Sequence, residues 1–454
     1  MPAPASGGRA RRAAGPALAG AGGRLRAGFE AGGLRLRSRF RRRGLLAFLA
    51  VMGPGLIAGV AGNDAGGIAT YSVMGADTGL RLLWLFPLTM LILAVVQEMA
   101  ARLGVVTGQG LSDLIRDRYG VRWTVFAMVV LLVANVANTV AEFAGAGAAL
   151  QILGVPTWLT VPIVAISIWA LVLFAAYRTV ERVFLSVMLV FLAYIASAIL
   201  AHPDWGAVGS ALISPSLTGL DATTLLLMVA VVGTTITPYM QFYLQSAVAE
   251  KGIDEEELGL EQADAVVGSV WTNVIAVFIV VATATTLHAG GIHITSAADA
   301  ASALGPVAGQ LSELLFAVGL FGASVLAATI MPISTAYVIC EAFGWESGVG
   351  HRFRDARAFF SLYTFVLFAG AAVVLIPGLD PIGLILGSQN LQGLLLPVVL
   401  VFMLLLVNDR TLLGRHANGR LRNGLAVACV GLVILLDAVL LGSAVAGWLG
   451  GRVG

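Results

Sequence analysis

Long runs of apolar residues recur along the chain, and short polar stretches separate each run from the next. A helix needs about 20 apolar residues to cross the hydrocarbon core of a bilayer. Helices satisfy their own backbone groups in lipid, whereas open strands leave an unpaired edge there. The pattern therefore predicts an all-α integral membrane protein with eleven transmembrane helices. The predicted spans are 44–76, 82–103, 122–149, 156–176, 182–201, 221–249, 265–288, 306–343, 358–376, 381–407 and 421–447.

Two of the predicted spans carry residues that interrupt a helix. The first contains the run GNDAGG at 62–67, and the sixth contains the run GTTITPY at 233–239. Glycine costs about 1 kcal/mol in a helix interior and proline about 3 kcal/mol, and Pro238 also removes a backbone donor. We expect both helices to unwind here and to expose carbonyl oxygens at mid-membrane depth. Such backbone must line a cavity or be buried in protein.

The two interruptions are five spans apart, which places the second copy of a five-helix unit upside down in the membrane. Interrupted helices at matching positions of two inverted halves indicate the central site of a transporter. The predicted organisation is a first repeat over 44–201, a second, inverted repeat over 202–407, and an eleventh helix with the C-terminus over 408–454. A pair of packing kinks without function is the alternative interpretation.

Composition and charge exclude a soluble protein and predict an orientation. Of the 454 residues, 58% are hydrophobic and 11% are charged, against about 25% charged in soluble domains. Soluble enzymes, nucleic-acid-binding proteins and disordered proteins are thereby excluded. Every Lys and Arg except Arg81 and Arg452 falls on one side of the predicted spans. The positive-inside rule therefore places the N-terminus in the cytoplasm and the C-terminus outside the cell.

The first 43 residues form a separate region. Residues 1–43 hold eleven Arg among Gly, Ala and Pro, and they lack an apolar stretch long enough for a signal peptide. We predict a disordered, Arg-rich cytoplasmic tail over 1–43. Its basic side chains either contact anionic lipid headgroups or serve only to set the topology.

Asp64 lies inside the first interruption. An ionisable residue at the centre of a membrane is costly and by default indicates function. No Cys or His lies near either interruption, and methionines only flank them. The nearby polar groups are hard oxygen donors: Asn63, Thr234, Thr237, Tyr239 and the cluster 388–390. Oxygen ligands without imidazole or thioether suit Mg²⁺, Ca²⁺, Na⁺ or Mn²⁺, so the sequence predicts a cation site.

Several stretches of the chain resemble the Nramp family of divalent metal transporters, which have the LeuT-type fold. The resemblance extends from about residue 50 to about residue 415. It implies a LeuT-type 5+5 inverted repeat with broken helices 1 and 6. The stretches that carry it are GPGLIAGVAGNDAGG (53–67), AARLGVVTGQGLSDL (100–114), AEFAGAGAAL (141–150), GTTITPYMQFYLQSA (233–247), LFAVGLFGASVLAATI (315–330) and GSQNLQGLLLPVVL (387–400).

The chain departs from the usual Nramp pattern at ligand positions. The resemblance implies that Asp64 is the metal-binding acid, but Gly67 stands where the family has a ligand Asn. In the sixth helix Thr237 replaces a Met ligand and Tyr239 replaces a His linked to proton movement. Thr139 replaces an acidic residue in the third helix. This combination resembles the Nramp-related magnesium transporters, which carry Mg²⁺ and Mn²⁺ and are thought not to be proton-coupled.

The resemblance also implies the remaining ligands. Gln389 matches the tenth-helix ligand of the family, and the backbone carbonyls of Ala61 and Thr234 are further candidates. Glu142 is a candidate for either a functional role or structural polar packing. The predicted metal site comprises Asp64, Ala61, Gly67, Thr234, Thr237 and Gln389.

Together these features predict a transporter rather than an enzyme. We expect a monomer in the plasma membrane that imports divalent metal ions, Mg²⁺ above all and also Mn²⁺, by alternating access without proton coupling. It needs no cofactor and has no nucleic-acid partner. All five histidines fall in loops or at span ends, which argues against a histidine proton relay. The alternatives are a proton-coupled Mn²⁺/Fe²⁺ symporter, then a sodium-coupled amino-acid transporter; two matched breaks suit a channel or a sensor less well.

Overall fold

Helices make up the regular structure of the described part of the chain. The computed structural model describes residues 61–174, 192–216, 218, 220–253, 255–347 and 353–450, and no strand occurs among them. The α-helices with named bounds are α1 (Ala65–Thr78), α2 (Leu85–Thr107), α3 (Leu111–Tyr119), α4 (Val121–Ile152), α5 (Thr157–Phe174), α6 (Trp205–Ile213), α7 (Ala222–Thr235), α8 (Pro238–Lys251), α9 (Leu258–Thr286), α10 (Ala297–Ala301), α11 (Gly305–Ala308), α12 (Ser312–Phe343), α13 (Arg357–Val374), α14 (Pro381–Val407), α15 (Arg410–Leu413) and α16 (Arg420–Gly450). Short 3-10 turns lie at Ala61–Asn63, Glu255–Glu257, His288–Gly290, Ser302–Leu304, Gly309–Leu311 and Gly414–His416.

Local sequence signals set many of the helix ends. Asp204, Asp221 and Asp380 each precede a helix and accept hydrogen bonds from N–H groups of its first turn. Such capping pairs donors that a helix leaves unsatisfied at its N-terminus. Gly108 and Gly344 follow α2 and α12 with left-handed φ angles of 62° and 67°, a conformation that favours glycine at a helix C-terminus.

The predicted membrane spans are confirmed in large part. Eight helices in the described part of the chain are long and apolar enough to cross a membrane: Leu85–Thr107, Val121–Ile152, Ala222–Lys251, Glu255–Gly290, Ser312–Phe343, Arg357–Val374, Pro381–Val407 and Arg420–Gly442. A shorter apolar helix, Thr157–Leu173, matches the fourth predicted span. The predicted tail and parts of the first and fifth spans lie outside the described residues, so the count of eleven stays a prediction.

The eighth predicted span, 306–343, has the wrong start. The structure contains two helices there, because α11 ends at Ala308 and α12 begins only at Ser312. Gly309 between them has a left-handed φ of 52°, which a right-handed helix cannot accommodate. The polar residues Gln310, Ser312 and Glu313 that follow Gly309 could have indicated this break.

Helix α4 is at the centre of the packing that positions the site. It contacts α12, α13 and α14, and its second half is almost entirely buried. α2 packs against α9; in addition, α1 packs against α9 and α8 packs against α2. Exchange of the first predicted span with the sixth, and of the second with the seventh, converts the α1–α9 contact into the α8–α2 contact, as expected for an inverted repeat. The repeat boundaries themselves stay predictions.

Candidate metal centre

Asp64 is the N-cap residue that directly precedes α1. A 3-10 turn over Ala61–Asn63 precedes Asp64, whose own backbone is extended (φ −73°, ψ −169°). Its Oδ1 atom accepts a hydrogen bond of 3.0 Å from the Gly67 N–H group, so the carboxylate caps the helix. The interruption is therefore shorter than the predicted 62–67, because Gly66 and Gly67 belong to α1.

The second interruption separates α7 from α8. α7 ends at Thr235, and Ile236 and Thr237 leave the helical conformation (φ/ψ −125°/60° and −65°/141°) before α8 begins at Pro238. Proline has no N–H group, so the carbonyl of Thr234, four residues before Pro238, lacks its usual helical donor. This carbonyl oxygen is thereby available to a ligand.

The two interruptions lie side by side in the structure. A methyl group added to Gly62 would lie 3.4 Å from the carbonyl oxygen of Thr234. The hydroxyl groups of Tyr71 on α1 and Thr235 on α7 share a buried hydrogen bond of 2.9 Å, although these residues are 164 positions apart. The tertiary structure thus brings the Asp64 carboxylate and the freed carbonyl of the second break into one region.

Polar side chains of α4 and α14 complete the surroundings of Asp64. Asn138 on α4 donates from Nδ2 to Asp64 Oδ2 at 3.3 Å. One turn further along α4, Glu142 Oε2 accepts a hydrogen bond of 3.4 Å from the Ala65 N–H group. Gln389 on α14 donates from Nε2 to Asn138 Oδ1 at 2.9 Å. Asp64 is 4% exposed and Asn138, Glu142 and Gln389 are fully buried, so the site is shielded from bulk water.

Several buried polar atoms beside the interruptions have no hydrogen-bond partner within the described residues. They are Asn63 Oδ1 and Nδ2, Glu142 Oε1, Thr234 Oγ1 and Thr237 Oγ1. An unpaired buried polar atom costs about 1–3 kcal/mol, and a bound cation with its water would supply partners for the oxygens. Among the described residues no cluster of three His, Cys, Asp or Glu side chains could hold a metal. The donors therefore fit a hard cation bound through a carboxylate and neutral oxygens.

The structure places the predicted ligands in different roles. Four of them lie at or beside the paired interruptions: Asp64, Thr234, Thr237 and Gln389. Ala61 belongs to the turn that precedes Asp64. Gly67 contributes its N–H group to Asp64, and the carbonyl oxygen of Gly62 occupies the position where a side chain at residue 67 would begin. Coordination of a metal by these six residues stays a prediction.

Asn138 and Met331 are absent from the predicted ligand set, although Asn138 contacts Asp64 and Met331 contacts Asn138. Asn138 donates not only to Asp64 but also to the sulfur of Met331 on α12, at 3.1 Å. Asn138 precedes Glu142 by one helical turn, a spacing that puts both side chains on one face, and this pattern could have revealed it. Met331 has no comparable signal, because only the packing of α12 against α4 brings its thioether here.

Comparison with known protein families assigns this architecture. Residues 55–443 match the Nramp family, described as natural resistance-associated macrophage protein-like. The chain belongs to the Nramp family. The predicted resemblance is thereby confirmed for the family as a whole, while the match does not distinguish a magnesium-transporting branch of Nramp proteins.

This Nramp chain is similar to bacterial proteins named divalent metal cation transporter MntH. The protein from Deinococcus radiodurans is 29% identical over 424 residues, which cover 90% of this chain and 93% of the relative. The protein from Granulibacter bethesdensis is 26% identical over 413 residues, which cover 88% and 90%. The predictions of a membrane transporter, and of a transporter rather than an enzyme, are confirmed.

Solved structures identify the fold of the Nramp chain. The manganese transporter of Eremococcus coleocola, in complex with an aromatic bis-isothiourea substituted compound, has a TM-score of 0.71 at 22% identity, covering 90% of this chain and 89% of that one. MhsT in complex with L-phenylalanine has a TM-score of 0.58 at 14% identity, covering 86% and 98%. The predicted LeuT-like fold is confirmed by these likenesses.

Proposed function

We propose that this Nramp protein imports divalent metal ions, Mg²⁺ together with Mn²⁺, across the plasma membrane by alternating access and without proton coupling. One observation carries the proposal: the buried carboxylate of Asp64 lies in the first helix interruption, which packs directly against the second interruption at Thr234. Broken helices of this kind hold transported ions at the centre of LeuT-type folds. Monomeric function and the cytoplasmic N-terminus form part of the same proposal.

The chemistry of the donors supports Mg²⁺ as a substrate. The carbonyl of Thr234 and the hydroxyls of Thr234 and Thr237 are hard oxygen donors, and both hydroxyls have no partner within the described residues. Mg²⁺ keeps several of its water molecules when it binds, and unpaired buried hydroxyls can bond to such waters. The name of the Eremococcus coleocola relative, a manganese transporter, supports Mn²⁺ as a second substrate.

The surface between α4 and α12 supports transport without protons. Asn135 donates to the Thr335 hydroxyl at 2.7 Å, and the Thr139 hydroxyl donates to the Asn135 carbonyl at 2.7 Å. These side chains do not titrate, so they cannot carry a proton away from the site. The membrane potential is sufficient without protons, because a double charge that crosses 100 mV gains about 4.6 kcal/mol.

Glu142 favours a second candidate function, a proton-coupled Mn²⁺ symporter. Its Oε2 atom accepts from the Ala65 N–H group beside Asp64, while its Oε1 atom has no partner among the described residues. A buried carboxyl group next to a metal-binding carboxylate can take up or release a proton when the ion arrives. This candidate differs from the first in one measurable way, the movement of one or more protons with each ion.

Uptake into proteoliposomes tests the proposal directly. Mg²⁺ and Mn²⁺ entry is measured with a fluorescent metal indicator, and a pH indicator inside the same vesicles reports proton movement. We expect uptake of both ions, driven by an imposed potential, with no internal acidification. Mn²⁺ entry with acidification and without Mg²⁺ competition would instead establish the proton-coupled symporter.

A pair of aspartate variants tests the site itself. Asp64→Asn removes the charge but retains an oxygen that can accept from the Gly67 N–H group, so we expect a folded protein with background uptake. Asp380→Asn makes the same chemical change at the exposed N-cap of α14 and should transport like the wild type. Mg²⁺ uptake by Asp64→Asn at the wild-type rate would refute the assignment of Asp64.

A further inference from the structure

The amide group of Asn138 lies between two atoms that can bind a metal. Its Nδ2 atom is 3.3 Å from Asp64 Oδ2 and 3.1 Å from the sulfur of Met331, and it donates to both. Asn138 is fully buried and Met331 is 1% exposed. A carboxylate oxygen and a thioether sulfur are both electron-pair donors, and the amide nitrogen presents partially positive hydrogens to them. The amide thus occupies a position suited to a cation.

We propose that Met331 and Asn138 are further ligands of the transported ion, which takes the place of the Asn138 amide nitrogen between Asp64 Oδ2 and Met331 Sδ. This inference rests on the proposed metal site at Asp64. Metal–oxygen and metal–sulfur bonds are about 2.0–2.6 Å long, so both donors must approach by about 1 Å. The thioether of Met331 can do so because methionine has three rotatable side-chain bonds.

Asn138 becomes an oxygen ligand by turning its amide group over, and two further amides can follow it. Gln389 donates to Asn138 Oδ1 at 2.9 Å, and Gln392 donates to Gln389 Oε1 at 3.0 Å. All three amides therefore direct their N–H groups toward Asp64, and the chain ends at Gln392 Oε1, which has no partner in the described residues. Reversal of all three amides presents oxygen to the ion and retains both amide–amide hydrogen bonds.

The thioether of Met331 then determines the relative affinity of the site for soft and hard ions. Thioether ligands favour transition metals, whereas carboxylate, carbonyl and water suit Mg²⁺ and Ca²⁺. A pocket with hard oxygens on the side of Thr234 and one sulfur on the side of α12 accepts Mg²⁺ through oxygen and water alone. It binds Mn²⁺ and Cd²⁺ with an additional metal–sulfur contact. The sulfur should therefore contribute to the affinity of Mn²⁺ and Cd²⁺ but not to that of Mg²⁺.

Metal titration of the purified full-length protein tests this assignment. Mn²⁺, Cd²⁺ and Mg²⁺ binding is measured by calorimetry for the wild type and for Met331→Leu, Met331→Cys and Met128→Leu. We expect Met331→Leu to weaken Mn²⁺ and Cd²⁺ binding about tenfold with Mg²⁺ binding unchanged, and Met331→Cys to retain Cd²⁺ binding. Met128 is a buried methionine on α4, ten residues before Asn138, and its Leu variant should behave like the wild type.

The outcomes separate this inference from the proposed function. Equal weakening of Mg²⁺ and Mn²⁺ binding in Met331→Leu, or no change in either, would overturn the sulfur ligand. Melting temperatures of the variants show which of them are folded, and Met331→Cys keeps the test decisive should the Leu variant fail to fold. A wild-type protein that binds and carries Mn²⁺ but not Mg²⁺ would end the magnesium proposal. Selective loss of Mn²⁺ affinity in Met331→Leu would still support the ligand.

Discussion

Replacement of Gly67 by alanine gives the sharpest test of the geometry at the first interruption. The resemblance to Nramp sequences suggests that an asparagine at residue 67 would restore a ligand. The structure predicts the opposite, because a Cβ atom at this position would collide with the carbonyl oxygen of Gly62. A backbone atom cannot rotate away as a side chain does, so the turn before Asp64 has to move.

The expected size of the effect follows from this collision. The contact would be more than 1 Å shorter than an ordinary carbon–oxygen contact of about 3.5 Å, and overpacking of this kind costs about 1–3 kcal/mol. Movement of the turn also displaces Asp64, whose Oδ1 accepts from the Gly67 N–H group. If overpacking destabilises only the conformation that binds the metal, metal affinity should drop about 5- to 140-fold.

The assay compares two glycine variants of the full-length protein. Gly387→Ala on α14 is the matched control, because nothing lies within 4 Å of a methyl group added there, and it should retain the wild-type affinity and melting temperature. Metal binding is measured by calorimetry and stability by thermal unfolding in detergent. A Gly67→Ala protein with unchanged affinity and stability would show that the turn before Asp64 is not held as the structure describes it.

Two further predictions concern contacts outside the ligand set. Tyr71→Phe removes the hydrogen bond to Thr235 that joins the two broken helices. The free energy of unfolding should therefore fall by about 1 kcal/mol, and an unchanged melting temperature would contradict this. Hydrogen bonds from Thr411 hold the pKa of Asp409 below its usual range, and the ion pair with Arg118 acts in the same direction. A lowered folded-state pKa stabilises the protein above about pH 4 and ceases to do so as the pH falls through that pKa. Asp409→Asn should therefore lower the melting temperature at pH 7, and the difference from the wild type should shrink below pH 4; a difference independent of pH would refute this reasoning.

Much of the fold could be predicted from the sequence because bilayer thickness and backbone hydrogen bonding leave few alternatives. Apolar runs of sufficient length correctly predicted helices such as α2, α4 and α14. Glycine and Pro238 marked the helix breaks, because their effects on a helix are local and independent of packing. The predicted start of α12 was wrong, because a left-handed turn at a single glycine is a backbone conformation that the average hydropathy of a span does not report.

The sequence by itself determined the class of the protein, the two interruptions and Asp64 as the acid at the first of them. Only the tertiary structure decided what surrounds that acid. Met331 reaches Asn138 because α12 packs against α4, and no spacing along the chain encodes a contact between residues 193 positions apart. Likewise, Gln389 reaches Asn138 because α14 packs against α4. Local preferences fix where a chain breaks, whereas packing of distant helices fixes which atoms meet there.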